Sequence, residues 1–362
     1  MIEAIYYQGI YLAIVTLFSI TCFARYHNTA VAVRDPKFPG IALFLFLSFF
    51  IGFRPLSPVF ADTMGYAGAH DSYLFREFEF SWDHDNYVFD NLGFWIASIG
   101  WDHSIFFLII ALLYFGIRYL SCLKLFPNNS WIAFLIFLGS FITYTSSVNG
   151  LKAGVASSFF ALAIAYRKKW VKAVIFLAIA WGMHHAFHVC LLAYGVAYFY
   201  KNTKVYLVFW CIALLLAIFH ISYFQELFSG FTDERGASYL AAGDNGWRTG
   251  MRYDFVVYSV APIIVGWYTI VKQGYQSVEY KFILNLYVLL NSIWMLCMYA
   301  SFTNRIAALS WLIYPIVISY PFLSSDYNKS QQTKNRLVST ALMLNLGFTL
   351  FMSVFYYGLL KS

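Results

Sequence analysis

Residues 146–194 read SSVNGLKAGVASSFFALAIAYRKKWVKAVIFLAIAWGMHHAFHVCLLAY. Two apolar runs in this stretch are joined by a basic turn, and the second run leads into three histidines. Apolar runs of this kind are typical of helices that lie in a membrane. His184 and His188 are four residues apart, so on a helix they would share one face, with His185 turned about 100° away. Ionisable groups at the ends of apolar helices are costly, which makes Lys152 and the histidines candidates for a functional site.

A simpler interpretation of the same residues stays open. Lys152 could extend toward the lipid headgroups along its apolar stem, with the three histidines at the membrane surface.

The composition indicates a polytopic membrane protein of the all-α class, with a single transmembrane domain over residues 1–362. The chain is 61% hydrophobic, 22% aromatic and only 11% charged, whereas a soluble domain has about 25% charged residues. No cleavable signal peptide is evident at the N-terminus. The five cysteines stand singly in apolar runs, so neither a disulfide framework nor a zinc site is indicated.

The hydropathy pattern predicts about twelve transmembrane helices. An untilted crossing needs about 20 apolar residues, so we interpret the short segment 88–100 as a re-entrant or interfacial helix. The remaining apolar segments are 5–24, 39–53, 103–121, 130–147, 151–166, 171–184, 187–200, 205–222, 253–271, 282–300, 306–323 and 338–358.

The charge distribution orients these segments. With the N-terminus outside, most of the 24 basic residues, Arg118 among them, fall on the cytoplasmic side, as the positive-inside rule requires. The net charge of +7 therefore does not indicate a nucleic-acid partner. Two long outer loops, 54–90 and 222–254, mix acidic and aromatic residues. Such loops suit carbohydrate, although they also fit an aromatic belt at the membrane surface.

Several cations lie at the outer mouths of different helices and suit an anionic head group, a pyrophosphate in particular. They are Arg54, Lys152, the His184/His188 pair, Arg252 and Arg305, with Arg248 nearby in the second outer loop. Structural pairing of Arg252 with Asp254, or of Arg54 with Asp62, is the alternative. The candidate general bases are His184, His188, Asp62, Asp71 and Asp90.

The sequence offers little for a metal. A divalent-metal site would need paired Asp or Glu at close spacing, and Asp83-x-Asp85 is the only D-x-D in the chain and could form one. We therefore expect neither a metal nor another cofactor.

Three stretches together resemble a known family. NGLKAGVASSFFALAIAY (149–166), LAIAWGMHHAFHVCLLAY (177–194) and FRPLSPVFADTMGYAGAH (53–70) are similar, in this order, to motifs of the EpsG-type branch of Wzy-like polysaccharide polymerases. His184 falls on the family histidine, with Ala186 in place of a small serine. Lys152 stands where the family more often has arginine.

The resemblance implies a glycosyltransferase of the C-type multispan architecture in a bacterial inner membrane, with its active site facing the periplasm. It would join repeat units linked to undecaprenyl pyrophosphate into an O-antigen, capsule or other exopolysaccharide by metal-independent transfer. The expected partners are these lipid-linked glycans, the bilayer, a flippase and a chain-length regulator, with no nucleic acid. The implied roles are substrate binding by Arg54, Lys152, Arg305, Arg252, Arg248, Tyr66 and Asn149, and proton transfer by His184, Asp62 or His188.

Two other classes of function stay open. A flippase or other transporter of lipid-linked oligosaccharides would also be polytopic and aromatic, but should place charges along both halves of a pathway. A membrane-bound O-acyltransferase also uses a buried histidine, but we find no matching loop motif.

Overall fold

The structure, a computed structural model, describes residues 2–220, 250–301 and 303–359. Within these ranges the chain forms helices and no β-strand. An all-helical chain is what a membrane protein requires here, because backbone groups in lipid must be satisfied within each segment. The α-helices in the described ranges are α1 (Tyr7–His27), α2 (Phe38–Gly52), α3 (Thr63–Asp71), α4 (Tyr87–Ser98), α5 (His103–Leu125), α6 (Ser130–Leu138), α7 (Thr143–Val148), α8 (Leu151–Ala165), α9 (Trp170–Met183), α10 (His188–Phe199), α11 (Thr203–Ile218), α12 (Tyr253–Gly266), α13 (Val278–Leu296), α14 (Thr303–Trp311), α15 (Tyr314–Leu323) and α16 (Gln331–Phe351).

Five helical stretches among the described residues are long and apolar enough to cross a membrane: Ala4–His27, His103–Leu125, Tyr253–Lys272, Thr303–Leu323 and Gln331–Tyr356. Five shorter apolar helices accompany them, namely Phe38–Gly52, Leu151–Ala165, Trp170–Met183, His185–Phe199 and Thr203–Ile218. The chain is thus a multi-pass helical membrane protein. The count of twelve crossings stays a prediction.

The chain divides into two compact units. The first comprises residues 1–188, 322–325 and 329–362. In it α2 packs on α5, α5 on α8, α8 on α9, and α16 on α1. The second comprises residues 189–321 and 326–328 and is built around α13, which packs against α11 and α14.

Two predicted helices are interrupted. Residues 130–147 form α6 and α7 with a break between them, because side chains of α16 supply the hydrogen bonds that a continuous helix would make itself. Asn345 Nδ2 donates to the carbonyl of Ile136 (2.8 Å), and Thr349 Oγ1 donates to that of Gly139 (2.7 Å). These partners are some 200 residues away in sequence, so local hydropathy did not reveal the break. The predicted segment 306–323 is likewise interrupted, at 312–313.

Arg118, which we counted among the cytoplasmic basic residues, does not lie in a loop. This residue lies within α5 and is buried, and its guanidinium sits over the ring of Phe137, 4.5 Å from the centroid. Its Nη2 donates to Ser157 Oγ on α8 at 3.0 Å. Arg118 therefore joins two packed helices and carries no information about which side of the membrane a loop faces.

Glycines allow helices of the first unit to approach closely. A Cβ at Gly52 would lie 2.6 Å from the Cα of Leu108 on α5, and one at Gly154 would lie 2.6 Å from the carbonyl oxygen of Ser146. Both contacts are with backbone, which cannot rotate away. The two glycines thus bring α2 against α5 and α8 against α7, next to the residues considered below.

Candidate active site

The site is built around Arg54, which follows the end of α2. Its side chain is buried, with the residue only 5% exposed. Nη1 donates to the carbonyl of Ile51 (2.9 Å), and Nη2 donates to Thr63 Oγ1 (3.0 Å) and to the carbonyl of Val148 (3.2 Å). The guanidinium also lies over the ring of Phe107, 4.4 Å from its centroid. All of these partners are neutral.

Among the residues that the structure describes, the charge of Arg54 is uncompensated. In the described part of the chain no carboxylate forms an ion pair with it, and its Nε–H is buried without a hydrogen-bond partner. Burial lowers the pKa of Arg54 to about 10, so the side chain remains a cation at neutral pH. Burial disfavours the charged form of Arg54 and so lowers its pKa. A bound anion would favour the charged form and raise the pKa again. The proposed pairing of Arg54 with Asp62 is not observed.

Thr63 connects Arg54 to the start of α3. Its Oγ1 donates to the carbonyl of Val148 at 2.6 Å, the same oxygen that Arg54 contacts. Asn149 follows Val148 in the chain, and its Oδ1 accepts a hydrogen bond from the backbone N–H of Asp62 at 3.0 Å. Asp62 precedes the first residue of α3 and its side chain is exposed. The structure therefore brings Arg54, Asp62 and Asn149 close to one another.

The backbone is strained immediately before Asp62. Ala61 has φ of 46° and ψ of −106°, in a region that favours glycine. A non-glycine residue held there costs on the order of 1–3 kcal/mol. Such strain is common next to functional side chains, and Asp62 directly follows Ala61.

Lys152, in the first turn of α8, forms an ion pair with Asp90 in the first turn of α4. Its Nζ lies 2.7 Å from Asp90 Oδ1, and the two side chains are 24% and 27% exposed. The ammonium also lies 5.3 Å from the ring centroid of Phe89, whose ring is 5.9 Å from that of Tyr66 on α3. Lys152 thus has an acidic partner within the protein. Asp90, a candidate base, is that partner.

The three histidines do not share a helix, so the predicted common face of His184 and His188 is wrong. α9 ends at Met183, His184 is extended (φ −153°, ψ 112°), His185–Phe187 form a single 3-10 turn, and α10 begins at His188. His185, which we expected to point away, packs between the other two. Its ring stacks on that of His188 (6.2 Å between centroids) and meets that of His184 edge-on (5.8 Å).

Asn86 orients His184. Its Oδ1 accepts the backbone N–H of His185 at 3.0 Å and lies 3.2 Å from His184 Nδ1. Because the amide oxygen of Asn86 carries no hydrogen and can only accept, Nδ1 of His184 is the donor in this contact, and the neutral tautomer has its lone pair on Nε2. The carbonyl of His185 holds Nδ1 of His188 in the same way, at 2.9 Å.

α4 links the cationic and histidine parts of the site. Asn86 immediately precedes it and Asp90 lies four residues on, so one helix end contacts both His184 and Lys152. Gly182 makes this possible: a Cβ there would lie 2.4 Å from Val88 Cγ2, so only glycine lets α9 pack this closely on α4. With 12 residues, α4 is about 18 Å long at 1.5 Å per residue. This is too short to span a bilayer, as we expected for segment 88–100.

Asp71, another candidate base, is engaged elsewhere on α3. Its carboxylate receives a hydrogen bond from Nδ1 of His103 at the start of α5, at 2.9 Å. The neighbouring buried His70 contacts the carbonyl of Trp101 through Nε2, also at 2.9 Å. These contacts fasten the C-terminal end of α3 to α5, which favours a structural role for Asp71.

The remaining predicted cations lie in the second unit or outside the residues that the structure describes. Arg252 precedes α12 and makes a bidentate pair with Asp254, at 3.0 Å from Nε to Oδ1 and 2.6 Å from Nη2 to Oδ2, as the alternative interpretation had it. Arg305 lies on an exposed face of α14. Arg248 lies outside the described residues, so a ring of all these cations stays a prediction.

The described residues offer no cluster of side chains suited to a metal ion. Over residues 2–220, 250–301 and 303–359, no three His, Cys, Asp or Glu side chains lie together in a group that could hold an ion. The Asp83-x-Asp85 pair has no third such ligand there.

Two residues of the site escaped sequence analysis. Thr63 gives no signal in a sequence, because its role depends on a carbonyl 85 residues away. Asn86 could have been found, since an asparagine directly before an apolar helix is a typical N-terminal signal. Its side chain instead binds the turn after α9.

Comparison with known proteins identifies the family of the chain. Searches of curated proteins and of solved structures return no significant match. The model of the EpsG family matches residues 37–361, a range that contains every site residue described above. Because this match covers most of the sequence, the protein belongs to the EpsG family, a family of polysaccharide-polymerase type.

Proposed function

We propose that this protein polymerises oligosaccharide repeat units carried on undecaprenyl pyrophosphate, at the periplasmic side of a bacterial inner membrane. The observation that carries the proposal is the buried guanidinium of Arg54, held only by neutral groups and beside Asp62, Asn149 and Thr63. A buried cation without a carboxylate suits a ligand that brings its own negative charge. In a family of polysaccharide-polymerase type, the pyrophosphate of a lipid-linked glycan is such a ligand.

In the proposed reaction, a hydroxyl oxygen of the acceptor sugar forms a bond to the anomeric carbon of the donor glycan. The bond from that carbon to the pyrophosphate oxygen breaks, and its electron pair leaves with undecaprenyl pyrophosphate. Arg54 stabilises the charge that develops on this leaving group, as electrostatic catalysis requires. The acceptor proton moves to Nε2 of His184, whose Nδ1–H is held by Asn86. Pyrophosphate is already a good leaving group, so the proposal includes no metal.

The roles of the other residues follow from their positions. Asp62 is the second candidate for the acceptor proton, and His188 supports His184 through the turn they share. Lys152 would contribute its charge when the phosphate competes with Asp90 for it. Tyr66 and Asn149 line the same region of the first unit. Arg252, Arg248 and Arg305 are proposed as further substrate-binding cations.

A deletion experiment distinguishes the proposed polymerase from a flippase and from an acyltransferase. We expect a cell lacking the gene to accumulate single lipid-linked repeat units accessible to a glycosidase added to spheroplasts. The gene on a plasmid should restore long polymer. Single repeats trapped where the enzyme cannot reach them would indicate a flippase instead. Normal-length polymer lacking acyl groups would indicate an acyltransferase.

The proposed orientation has its own test. Trp82 in the first outer loop is 73% exposed, and Lys168 lies in the basic turn between α8 and α9. In a protein whose exposed Cys211 is first replaced by serine, we expect an impermeant thiol reagent to label Trp82→Cys on spheroplasts. Lys168→Cys should be labelled only after the membrane is permeabilised. Labelling of Lys168→Cys on sealed spheroplasts would contradict the orientation.

A further inference from the structure

A row of aromatic rings leads from the first outer loop toward His184. The ring centroids of Phe80 and Trp82 are 4.8 Å apart, those of Trp82 and Tyr87 5.3 Å, and those of Tyr87 and Trp181 6.1 Å. Phe80, Trp82 and Trp181 are 50%, 73% and 44% exposed, so these three rings are open to a ligand. We call these four residues the aromatic row.

The loop that carries the row is held in one conformation. Asn91 on α4 is buried, and its Oδ1 accepts the backbone N–H of Ser81 at 2.9 Å. Its Nδ2 donates to the carbonyls of Ser81 and Tyr87, both at 2.7 Å. The residue before Trp82 is therefore fixed by a two-way contact. A ligand stacking on Trp82 would bind a preorganised surface and lose little affinity to ordering of the loop.

The charge around the row is acidic. Between residues 75 and 85 the exposed charged side chains are Glu77, Glu79, Asp83 and Asp85, against a single Arg76. Carboxylates accept hydrogen bonds from hydroxyl groups, whereas an anionic membrane surface attracts basic segments and repels acidic ones. Aromatic faces beside hydroxyl-binding carboxylates suit the C–H faces and hydroxyls of sugars better than they suit lipid headgroups.

The inner end of the row reaches the proposed catalytic histidine. Tyr87 follows Asn86, which contacts His184, and Trp181 precedes His184 by three residues. We propose that the aromatic row is a binding subsite for uncharged or amino sugars of the lipid-linked glycan, and that it leads the acceptor hydroxyl to His184. This inference rests on the proposed polymerase function. It adds to that function the surface that binds the sugar and the charge class of the sugar.

The test compares variants of Trp82 in purified protein reconstituted into nanodiscs, with lipid-linked repeat units extracted from the deletion cell as the probe. Trp82→Ala should raise KM for these repeats about threefold to tenfold, as expected for one lost aromatic contact, with little change in kcat. Trp82→Phe should retain most of the affinity. The matched control is Trp170→Ala at the start of α9, where the tryptophan is 70% exposed but lies outside the row.

Two outcomes would overturn the inference while leaving the polymerase function standing. One is an unchanged KM for Trp82→Ala in an enzyme that Arg54→Ala inactivates. The other is full rescue by Trp82→Leu, since leucine is apolar enough to insert into lipid but offers no ring to a sugar. If the wild-type protein itself forms no polymer from these repeats, the proposed function has failed.

The charge class has an independent readout. The sugar composition of the polymer made by the wild-type cell should show neutral or amino sugars in the repeat unit. A repeat unit built mainly of uronic acids would contradict this part of the inference, because the four exposed carboxylates would repel it.

Discussion

At the scale of residues, the site is decided by which charges have partners inside the protein. Arg54 has neutral partners only, whereas Lys152 is paired with Asp90 at 2.7 Å. The two cations looked alike in the sequence, where both stand at the mouth of an apolar helix. The proposed function gives them different roles, in which Arg54 binds an anion directly and Lys152 is first released from Asp90.

This difference predicts the effect of Asp90→Asn. The substitution removes the carboxylate that competes for Lys152 but keeps the size of the side chain. We expect KM for lipid-linked repeats to fall severalfold, while stability changes by no more than about 1 kcal/mol, because both side chains are about a quarter exposed. Steady-state kinetics and thermal unfolding in nanodiscs measure the two effects. A higher KM for Asp90→Asn would mean that Asp90 itself binds substrate.

Asn86 allows a test of the histidine through pH. In Asn86→Asp a carboxylate replaces the amide beside Nδ1 of His184, which favours the protonated imidazole. A general base must be deprotonated to act, so the acid limb of the pH profile of kcat/KM should move to higher pH. Asn86→Ala should lower kcat without moving the limb in that direction. An unshifted acid limb in Asn86→Asp would remove His184 as the base and favour Asp62.

The conformation of residues 184–188 could not be predicted from the sequence. The four-residue spacing of His184 and His188 predicted one helical face, but the chain leaves the helix at Met183. The cause is Asn86, nearly 100 residues earlier, whose Oδ1 binds the N–H of His185. His185→Ala should therefore not be silent, as the helical prediction had it, because the ring of His185 packs against both neighbours.

At the scale of elements, the site depends on helices that pack at close range. Apolar periodicity predicted most helices and the short α4, because burial in lipid imposes long apolar runs. It did not predict α3 within the first outer loop, or the break between α6 and α7. Both depend on contacts far apart in sequence, such as Thr63 with Val148 and Asn345 with Ile136.

Gly154 tests the packing of α8 on α7. Gly154→Ala forces a Cβ to within 2.6 Å of the Ser146 carbonyl and should destabilise the protein by about 1–3 kcal/mol. It should also reduce activity, since Lys152 and Asn149 lie next to this contact. The matched control is Gly195→Ala in α10, where a Cβ meets nothing within 4 Å and helix propensity should improve stability slightly. Equal melting temperatures for the two variants would contradict the packing account.

At the scale of the whole molecule, sequence and structure agree on a multi-pass helical membrane protein of the EpsG family. The family motifs also predicted Arg54, Asp62 and Asn149 as site residues, and the structure places these three residues near one another. The sequence could not separate paired cations from unpaired ones, since pairing depends on tertiary contacts such as that of Lys152 with Asp90. The central claim concerns the unpaired cation, Arg54, as the site of the lipid pyrophosphate.

The most direct test of this claim is polymerisation by purified protein in nanodiscs supplied only with lipid-linked repeat units, read as a ladder of glycan lengths on a gel. Wild-type protein should produce the ladder. Arg54→Lys keeps the charge but loses the planar fork, so it should give little product, and Arg54→Ala should give none, provided that both variants show wild-type unfolding temperatures. A full ladder from folded Arg54→Ala protein, or none from the wild type, would contradict the account.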